Sequence, residues 1–306
     1  MEGAFINRDR NLTMEAYTGF AQVYDTFMDD TPYEEWSRFL PALLQKHRGG
    51  GQDSVSSGTV PADGKGTGNH YAIETDDNVI KENLRQEQNT ILDLGCGTGT
   101  LTQLLAAQGY DMIGIDNAQE MLQIAIEKRD SAGLDILYLL QDMRTFELYG
   151  TVGAVISVCD SVNYLLEEEE IVQTFRLVNN YLFPQGIFIF DFNTVYKYAQ
   201  VIGDATIAET REECSFIWDN YYHEEEQINE YDLTVFVKEP ADMEQADHAL
   251  YRRFQETHYQ RGYELEQMKD CLRRAGMVFV EAVDADTHEA VNDVSERIYV
   301  VARKGA

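Results

Sequence analysis

Apolar residues recur at intervals of three and four near the start of the chain: Phe20, Val23, Tyr24 and Phe27, then Trp36, Phe39, Leu40 and Leu43. That spacing puts side chains on one face of a helix. The break at Thr31-Pro32 divides the pattern, so two helices are expected within 18–44. Between 49 and 68 the periodicity disappears, and 7 of the chain's 22 glycines lie there among Ser, Thr and Asp. Such a stretch buries too little apolar surface to offset the cost of ordering it, which predicts a flexible surface insertion spanning 47–88. From residue 90 onward short apolar runs alternate with amphipathic stretches. Strands are expected at 90–94, 111–115, 135–140, 152–158 and 186–190, with helices at 100–108, 118–129 and 167–182. Alternation of this kind predicts a parallel sheet covered on both faces by helices, with ligands bound beyond the carboxyl ends of the strands.

The period changes to two between 203 and 262. The runs CSFIWDNYY, INEYDLTVFVKE and ALYRRFQETHY read as antiparallel strands, and Tyr231, Leu233, Val235 and Val237 share one face. An inserted β-rich lid follows from that. A helix at 264–275 closed by Gly276, then strands at 277–283 and 297–302, return the chain to the sheet. The expected organisation is an N-terminal extension (1–13), N-terminal helices (14–46), the Gly-rich insertion (47–88), an α/β domain (89–202 and 263–306) and the lid (203–262).

Charge and composition narrow the functional classes. Of 306 residues, 24 are Lys or Arg and 54 are Asp or Glu, a formal charge of −30. Without a basic excess there is nothing to neutralise a phosphate backbone broadly, and an anionic membrane surface is disfavoured. No run is apolar for the roughly 18 residues that a membrane span requires. Cys96, Cys159, Cys214 and Cys271 stand apart, without CxxC spacing, and the six histidines form no HExxH pattern. No disulfide framework and no metal are implied, and the expected location is the cytoplasm. The lid carries fifteen acidic against five basic residues, which suits either a solvated face or attraction of a cationic amine.

The segment ILDLGCGTGTLTQLL carries the chemistry. A buried strand ends in Asp93, and Gly95, Gly97 and Gly99 precede a helix, so a ligand can lie against backbone that a Cβ would obstruct. A dinucleotide fingerprint would place Gly or Ala where Thr100 stands. The next strand ends in Asp116, placed to accept both hydroxyls of a ribose and to repel a 2′-phosphate. This acid-GxGxG pattern resembles the first motif of the class I S-adenosylmethionine-dependent methyltransferases. The segment AYTGFAQVYDTFMDDTPYEEW is similar to bacterial stand-alone methyltransferases of the YqeM type.

The resemblance implies a Rossmann-like, doubly wound, seven-stranded sheet whose last strand is antiparallel, with the β lid inserted. It implies that S-adenosyl-L-methionine lies against Asp93, Gly95, Cys96, Gly97, Asp116, Asn117, Met121 and Cys159. Asp142 and Met143 would meet the adenine, and Tyr17 and Tyr24 would enclose the methionine end, unless those tyrosines serve helix packing instead. The lid resembles that of small-molecule N-methyltransferases, so Trp218, Tyr222, His223 and His258 either face an acceptor or form core. Tyr164 and His223 are the candidate bases, should the acceptor need to lose a proton. The expected reaction is methyl transfer to nitrogen or oxygen of a small molecule, with no DNA partner and no membrane. Methylation of RNA or protein, cofactor binding without catalysis, and a dehydrogenase remain alternatives.

Overall fold

The computed structural model describes residues 20–47, 86–239 and 249–305. The expected extension at 1–13, Tyr17 and most of the 47–88 insertion lie outside the described residues.

Two N-terminal helices, α1 (Ala21–Phe27) and α2 (Tyr33–His47), separate at the expected proline. The α/β unit then runs β1 (Thr90–Leu94), α3 (Thr100–Ala107), β2 (Asp111–Asp116), α4 (Gln119–Ala132), β3 (Ile136–Leu140), β4 (Val152–Ser157), α5 (Glu168–Tyr181) and β5 (Leu182–Asn193). After four lid strands, β6 (Ala205–Thr210), β7 (Cys214–His223), β8 (Ile228–Lys238) and β9 (Tyr251–Arg261), the chain closes with α6 (Leu265–Arg274), β10 (Val278–Asp284) and β11 (Arg297–Arg303). The main sheet has the order β10-β11-β5-β4-β1-β2-β3, parallel from β3 to β5, with β11 antiparallel to both its neighbours. This is the expected Rossmann-like arrangement. The reversal of order between β1 and β4 opens a crevice at their carboxyl ends.

Alternation along β5 explains why both faces are covered. Phe188, Phe190 and Phe192 point into a core closed by Phe175 and Val178 of α5 and by Met268 and Leu272 of α6. Ile187 and Ile189 point the other way, into a core closed by Trp36, Leu40 and Leu44 of α2 and by Leu101 and Leu105 of α3. Local signals set the helix ends. Reciprocal capping boxes start α5 (Glu167 with Glu170) and α6 (Glu264 with Gln267), and Gly276 at φ +77° ends α6 as the sequence predicts.

Two elements differ from expectation. β5 begins at Leu182 rather than 186, because the chain leaves α5 directly into pairing with Val152; a register shift between Val152 and Ala154 absorbs the irregular Pro184-Gln185. Among the described residues the lid has four strands rather than three. The added strand, β6, reads ATIAET, whose small and polar residues give no period-two signal, and it pairs antiparallel with β7 along its whole length. A turn of π-helix (Lys197–Ile202) leads into it.

The lid does not stand apart from the N-terminus. Phe20, Val23 and Phe27 of the α1 region pack on Phe216, Trp218, Tyr231, Leu233 and Val235 of the lid sheet, with the Phe27 and Phe216 rings 4.8 Å apart edge to face. The opposite side of α1 meets α4, where Ala21 and Tyr24 contact Ala118 and Met121. So α1 bridges the lid and the Rossmann unit. Among the described residues no helix is long and apolar enough to cross a membrane.

Candidate active site

A cavity of about 1040 Å³ opens at the carboxyl ends of β1 to β4. Its floor is the glycine turn after β1. Gly95, Gly97 and Gly99 all have positive φ (+83°, +54° and +73°). A Cβ on Gly95 would stand 2.6 Å from Ser161 Oγ, whereas one on Gly97 would meet no protein atom within 4 Å. Gly95 is therefore required by close packing, and Gly97 leaves backbone bare toward the cavity. The turn is tied to the next strand by the N–H groups of Gly95 and Cys96, which both donate to Ile115 O at 2.8 and 3.0 Å. Asp116 completes the tie: its Oδ2 accepts the N–H of Gly97 and its Oδ1 that of Ala118, both at 2.8 Å.

Among the described residues, two acids of this wall have no cationic partner. Asp93 is 3% exposed and accepts from Thr102 Oγ1 at 2.6 Å. Burial, reinforced by the nearby Asp116 charge, pushes Asp93 up to about 7 despite the Thr102 hydrogen bond. Burial also raises Asp116, against three backbone N–H groups that favour its ionised form. Such carboxylates suit a ligand that brings positive charge. The thiols beside them stay protonated at neutral pH: burial and the two aspartates lift Cys96, and burial with Asp160 pushes Cys159 up to about 12. Neither cysteine is poised as a nucleophile.

At the β3 end, Gln141, Asp142 and Met143 line the cavity beside Arg144. Arg144 grips Asp142 through its backbone N–H (2.8 Å) and its guanidinium, and reaches Glu170 Oε1 at 2.8 Å. Burial would raise the Asp142 pKa, but the hydrogen bonds and charge of Arg144 more than offset it and hold the carboxyl below its ordinary range.

The loop after β4 forms the opposite wall. Cys159 and Asp160 both adopt left-handed backbone (φ +63° and +54°), which is costly for residues with a Cβ. The carboxylate of Asp191, fully buried at the end of β5, accepts both of their N–H groups at 3.0 and 2.8 Å. Arg297 supplies the counter-charge, 3.3 Å from Asp160 and 3.8 Å from Asp191. Beyond this loop, Ser161 and Tyr164 reach the cavity.

The N-terminal helix closes over the glycine turn. Asp25 accepts from Thr98 Oγ1 at 2.7 Å and is paired with Lys128, whose ammonium also donates to Thr100 Oγ1 at 2.8 Å and Thr98 Oγ1 at 3.2 Å. Tyr24 and Tyr33 line the same side.

The structure thus brings Tyr24, Asp93, Gly95, Cys96, Gly97, Asp116, Asn117, Met121, Asp142, Met143, Cys159 and Tyr164 to one cavity. His223 is placed elsewhere: it ends β7, with Nε2 2.8 Å from Glu230 Oε2, and does not line the cavity. The sequence reading missed Tyr33, Asp25, Lys128, Asp191 and Arg297. Asp191 had a signal, an acid ending the apolar run IFIF. Asp25 and Lys128 had none, since a charged residue on an exposed helix face is ordinary.

Comparison with known proteins agrees with this geometry. Residues 91–186 match a family model described as a methyltransferase domain. Two proteins named "Putative methyltransferase" align along nearly the whole chain. The one from Geobacillus sp. (strain WCH70) is 32% identical over 288 residues, 94% of this chain and 99% of its own length. The other, YqeM of Bacillus subtilis, is 31% identical over 289 residues, 94% and 97% of the two chains. The chain belongs to the YqeM-type methyltransferase family. A crystal structure of an S-adenosylmethionine-dependent methyltransferase from Clostridium acetobutylicum superimposes with a TM-score of 0.69 at 25% identity, covering 95% of this chain and 99% of that one. This YqeM-type chain is an S-adenosylmethionine-dependent methyltransferase, and S-adenosylmethionine is its cofactor. The residues fit that group: the bare Gly97 backbone, with Asp93 and Asp116 beside it, offers room and negative charge to a cationic, phosphate-free ligand.

Proposed function

We propose that this YqeM-type enzyme methylates nitrogen or oxygen of a small molecule that enters beneath the lid. One observation carries the proposal: Tyr164 lines the cavity and is fastened directly to the lid, its OH lying 2.9 Å from Tyr231 OH, so the lid backs the wall that faces the acceptor. The cavity lining is also acidic, with Asp93, Asp116, Asp142, Glu167 and Glu170 against Arg144, which disfavours a polyanionic acceptor. Relatives that match the central part of the chain support both acceptor atoms. One is a dTDP-3-amino-3,4,6-trideoxy-α-D-glucopyranose N,N-dimethyltransferase of Streptomyces venezuelae, 32% identical over 127 residues; another is a ubiquinone biosynthesis O-methyltransferase of Rickettsia canadensis, 32% identical over 117 residues.

When bound, the cofactor supplies an activated methyl on a sulfonium. The chain's task is then positioning, which is worth roughly 7–11 kcal/mol when the geometry is good. In this proposal Asp116 holds the ribose diol, and Asp142 with Met143 receives the adenine. Asp93 and the backbone of Gly95 to Gly97 face the charged end, beside Cys96, Asn117, Met121 and Cys159, and Tyr24 encloses it with Tyr17. Tyr164 faces the acceptor. The test is release of S-adenosylhomocysteine by the purified chain across dTDP-amino sugars, glycine, sarcosine, catechols and ribosomal RNA. Turnover with a small molecule is expected. Turnover with RNA alone, or none while cofactor binds, overturns the proposal.

A further inference from the structure

Five side chains behind the cavity wall close into a ring of hydrogen bonds. Arg297 on β11 donates from Nε to Asn193 Oδ1 and from Nη2 to Asp160 Oδ1, both at 3.3 Å. Asn193 Nδ2, at the end of β5, stands 3.0 Å from Tyr198 OH, which is 2.8 Å from Gln260 Oε1. Gln260 Nε2 completes the ring, 2.5 Å from Asp160 Oδ2. Asn193, Tyr198 and Gln260 are buried, and none of the five lines the cavity.

The charged members orient the ring. Arg297 only donates and the Asp160 carboxylate only accepts, so Asn193 turns its amide oxygen to Arg297 and Gln260 its amide nitrogen to Asp160. Lys197 Nζ, 3.0 Å from the same Asn193 oxygen, requires the same orientation. Asn193 then donates to Tyr198, and Tyr198 to Gln260. Reversing either amide would set donor against donor or acceptor against acceptor.

The places of these residues in the chain show what the ring joins. Tyr198 lies in the turn that enters the lid, and Gln260 in β9, the strand that leaves it. Asp160 follows Cys159 in the loop after β4, where both hold left-handed backbone. Two consecutive residues with a Cβ stay there only when their surroundings impose it. Asp191 accepts their N–H groups and so fixes the main chain of the turn. The Asp160 side chain is fixed separately, by Arg297 on one oxygen and by Gln260 of the lid on the other.

We propose that Gln260 is a positioning residue for methyl transfer: from the lid it holds Asp160, and through Asp160 it sets the left-handed turn that presents Cys159 to the cofactor. The proposal rests on the reading above that Cys159 faces S-adenosylmethionine. Docking of the lid and the shape of the cofactor-side wall are then coupled, and a lid displaced at β9 releases the turn.

The test is the rate at which iodoacetamide alkylates each cysteine of the full chain, followed by peptide mass spectrometry in the wild type and in Gln260→Met, with and without S-adenosylhomocysteine. Methionine keeps the length of glutamine and removes both hydrogen bonds. Cys159 lines the cavity, whereas Cys214 belongs to the lid core and Cys271 of α6 to the main core. Cys159 should react about tenfold faster in the variant, because a relaxed turn exposes a thiol that burial otherwise keeps protonated. Cys214 and Cys271 should keep their rates. Calorimetry should show S-adenosylhomocysteine bound about fivefold more weakly, as loss of a hydrogen bond to a charged group behind the wall implies. Should Gln260→Met not fold, Tyr198→Phe opens the ring one bond further away and should speed Cys159 about threefold, again without Cys214 or Cys271. An unchanged Cys159 rate in a folded variant overturns the proposal. So does a rise shared by Cys214 and Cys271, which a staple of the whole fold would produce. The ligand arm separates the two claims. A wild-type chain that binds no S-adenosylhomocysteine, or binds it without slowing Cys159, fails the reading of Cys159 as facing the cofactor. One in which the ligand slows Cys159, while Gln260→Met alters neither rate nor affinity, fails the positioning role alone.

Discussion

At the glycine-turn end the cavity wall is largely main chain, contributed by the ends of neighbouring strands β1 and β2 and held by Asp116 through 2.8 Å hydrogen bonds to Gly97 and Ala118. At the other end Tyr164 lines the cavity and is held from behind by the lid, and the Tyr164 to His258 contact joins residues 94 positions apart. The first kind of wall is set by φ angles and strand register, so it is local. The second depends on how a separate four-stranded sheet sits on the Rossmann unit. Under the proposed function, the cofactor depends on the first and the acceptor on the second.

The joint between the two ends is where the contrast can be broken most severely. Asp191→Ala removes the acceptor for the N–H groups of the left-handed Cys159 and Asp160 and strips Arg297 of a buried counter-charge. A loss of about 3–5 kcal/mol is expected in urea denaturation. A loss below about 1 kcal/mol would mean that the loop after β4 holds its shape without Asp191.

A smaller effect sharpens the cofactor end. Because the folded pKa of Asp93 is raised to about 7, its contribution to the stability of the cofactor-free protein is fully present below about pH 4 and is lost as the pH rises through 7. Asp93→Asn should remove that slope and raise stability at pH 7.5 by roughly 1–3 kcal/mol, read as melting curves of both proteins from pH 4 to 8. Parallel curves would show that Asp93 ionises normally. The smallest effect concerns the closure by α1. Lys128 is 29% and Asp25 39% exposed, so Lys128→Met should cost about 0.2–1 kcal/mol, seen as an S-adenosylhomocysteine dissociation rate up to about fivefold faster in stopped flow. An unchanged rate would mean that α1 does not gate release.

The same division explains what was legible in the chain. The strand-turn-helix around Gly95 to Gly99, and Asp116 at the end of the next strand, could be found because glycine spacing and apolar runs encode them directly. Tyr164 could be found by its place after the fourth strand. The lid was visible as alternation in three runs, while β6 was not, since the small and polar residues of ATIAET carry no period-two signal. His223 was chosen as a base for its residue type. His258, named only as a possible acceptor-facing residue, owes its contact with Tyr164 to the β8–β9 register and to the docking of the lid, and no local pattern reports either.

The central claim, that Asp116 and the glycine turn hold the adenosyl group, is tested most directly by isothermal titration of S-adenosylhomocysteine into the wild-type chain and into Asp116→Ala. Saturable binding to the wild type is expected, weakened roughly tenfold or more in a variant shown to be folded, as loss of charged hydrogen bonds to a ribose diol requires. Equal affinities, or no binding to the wild type at millimolar ligand, would contradict it.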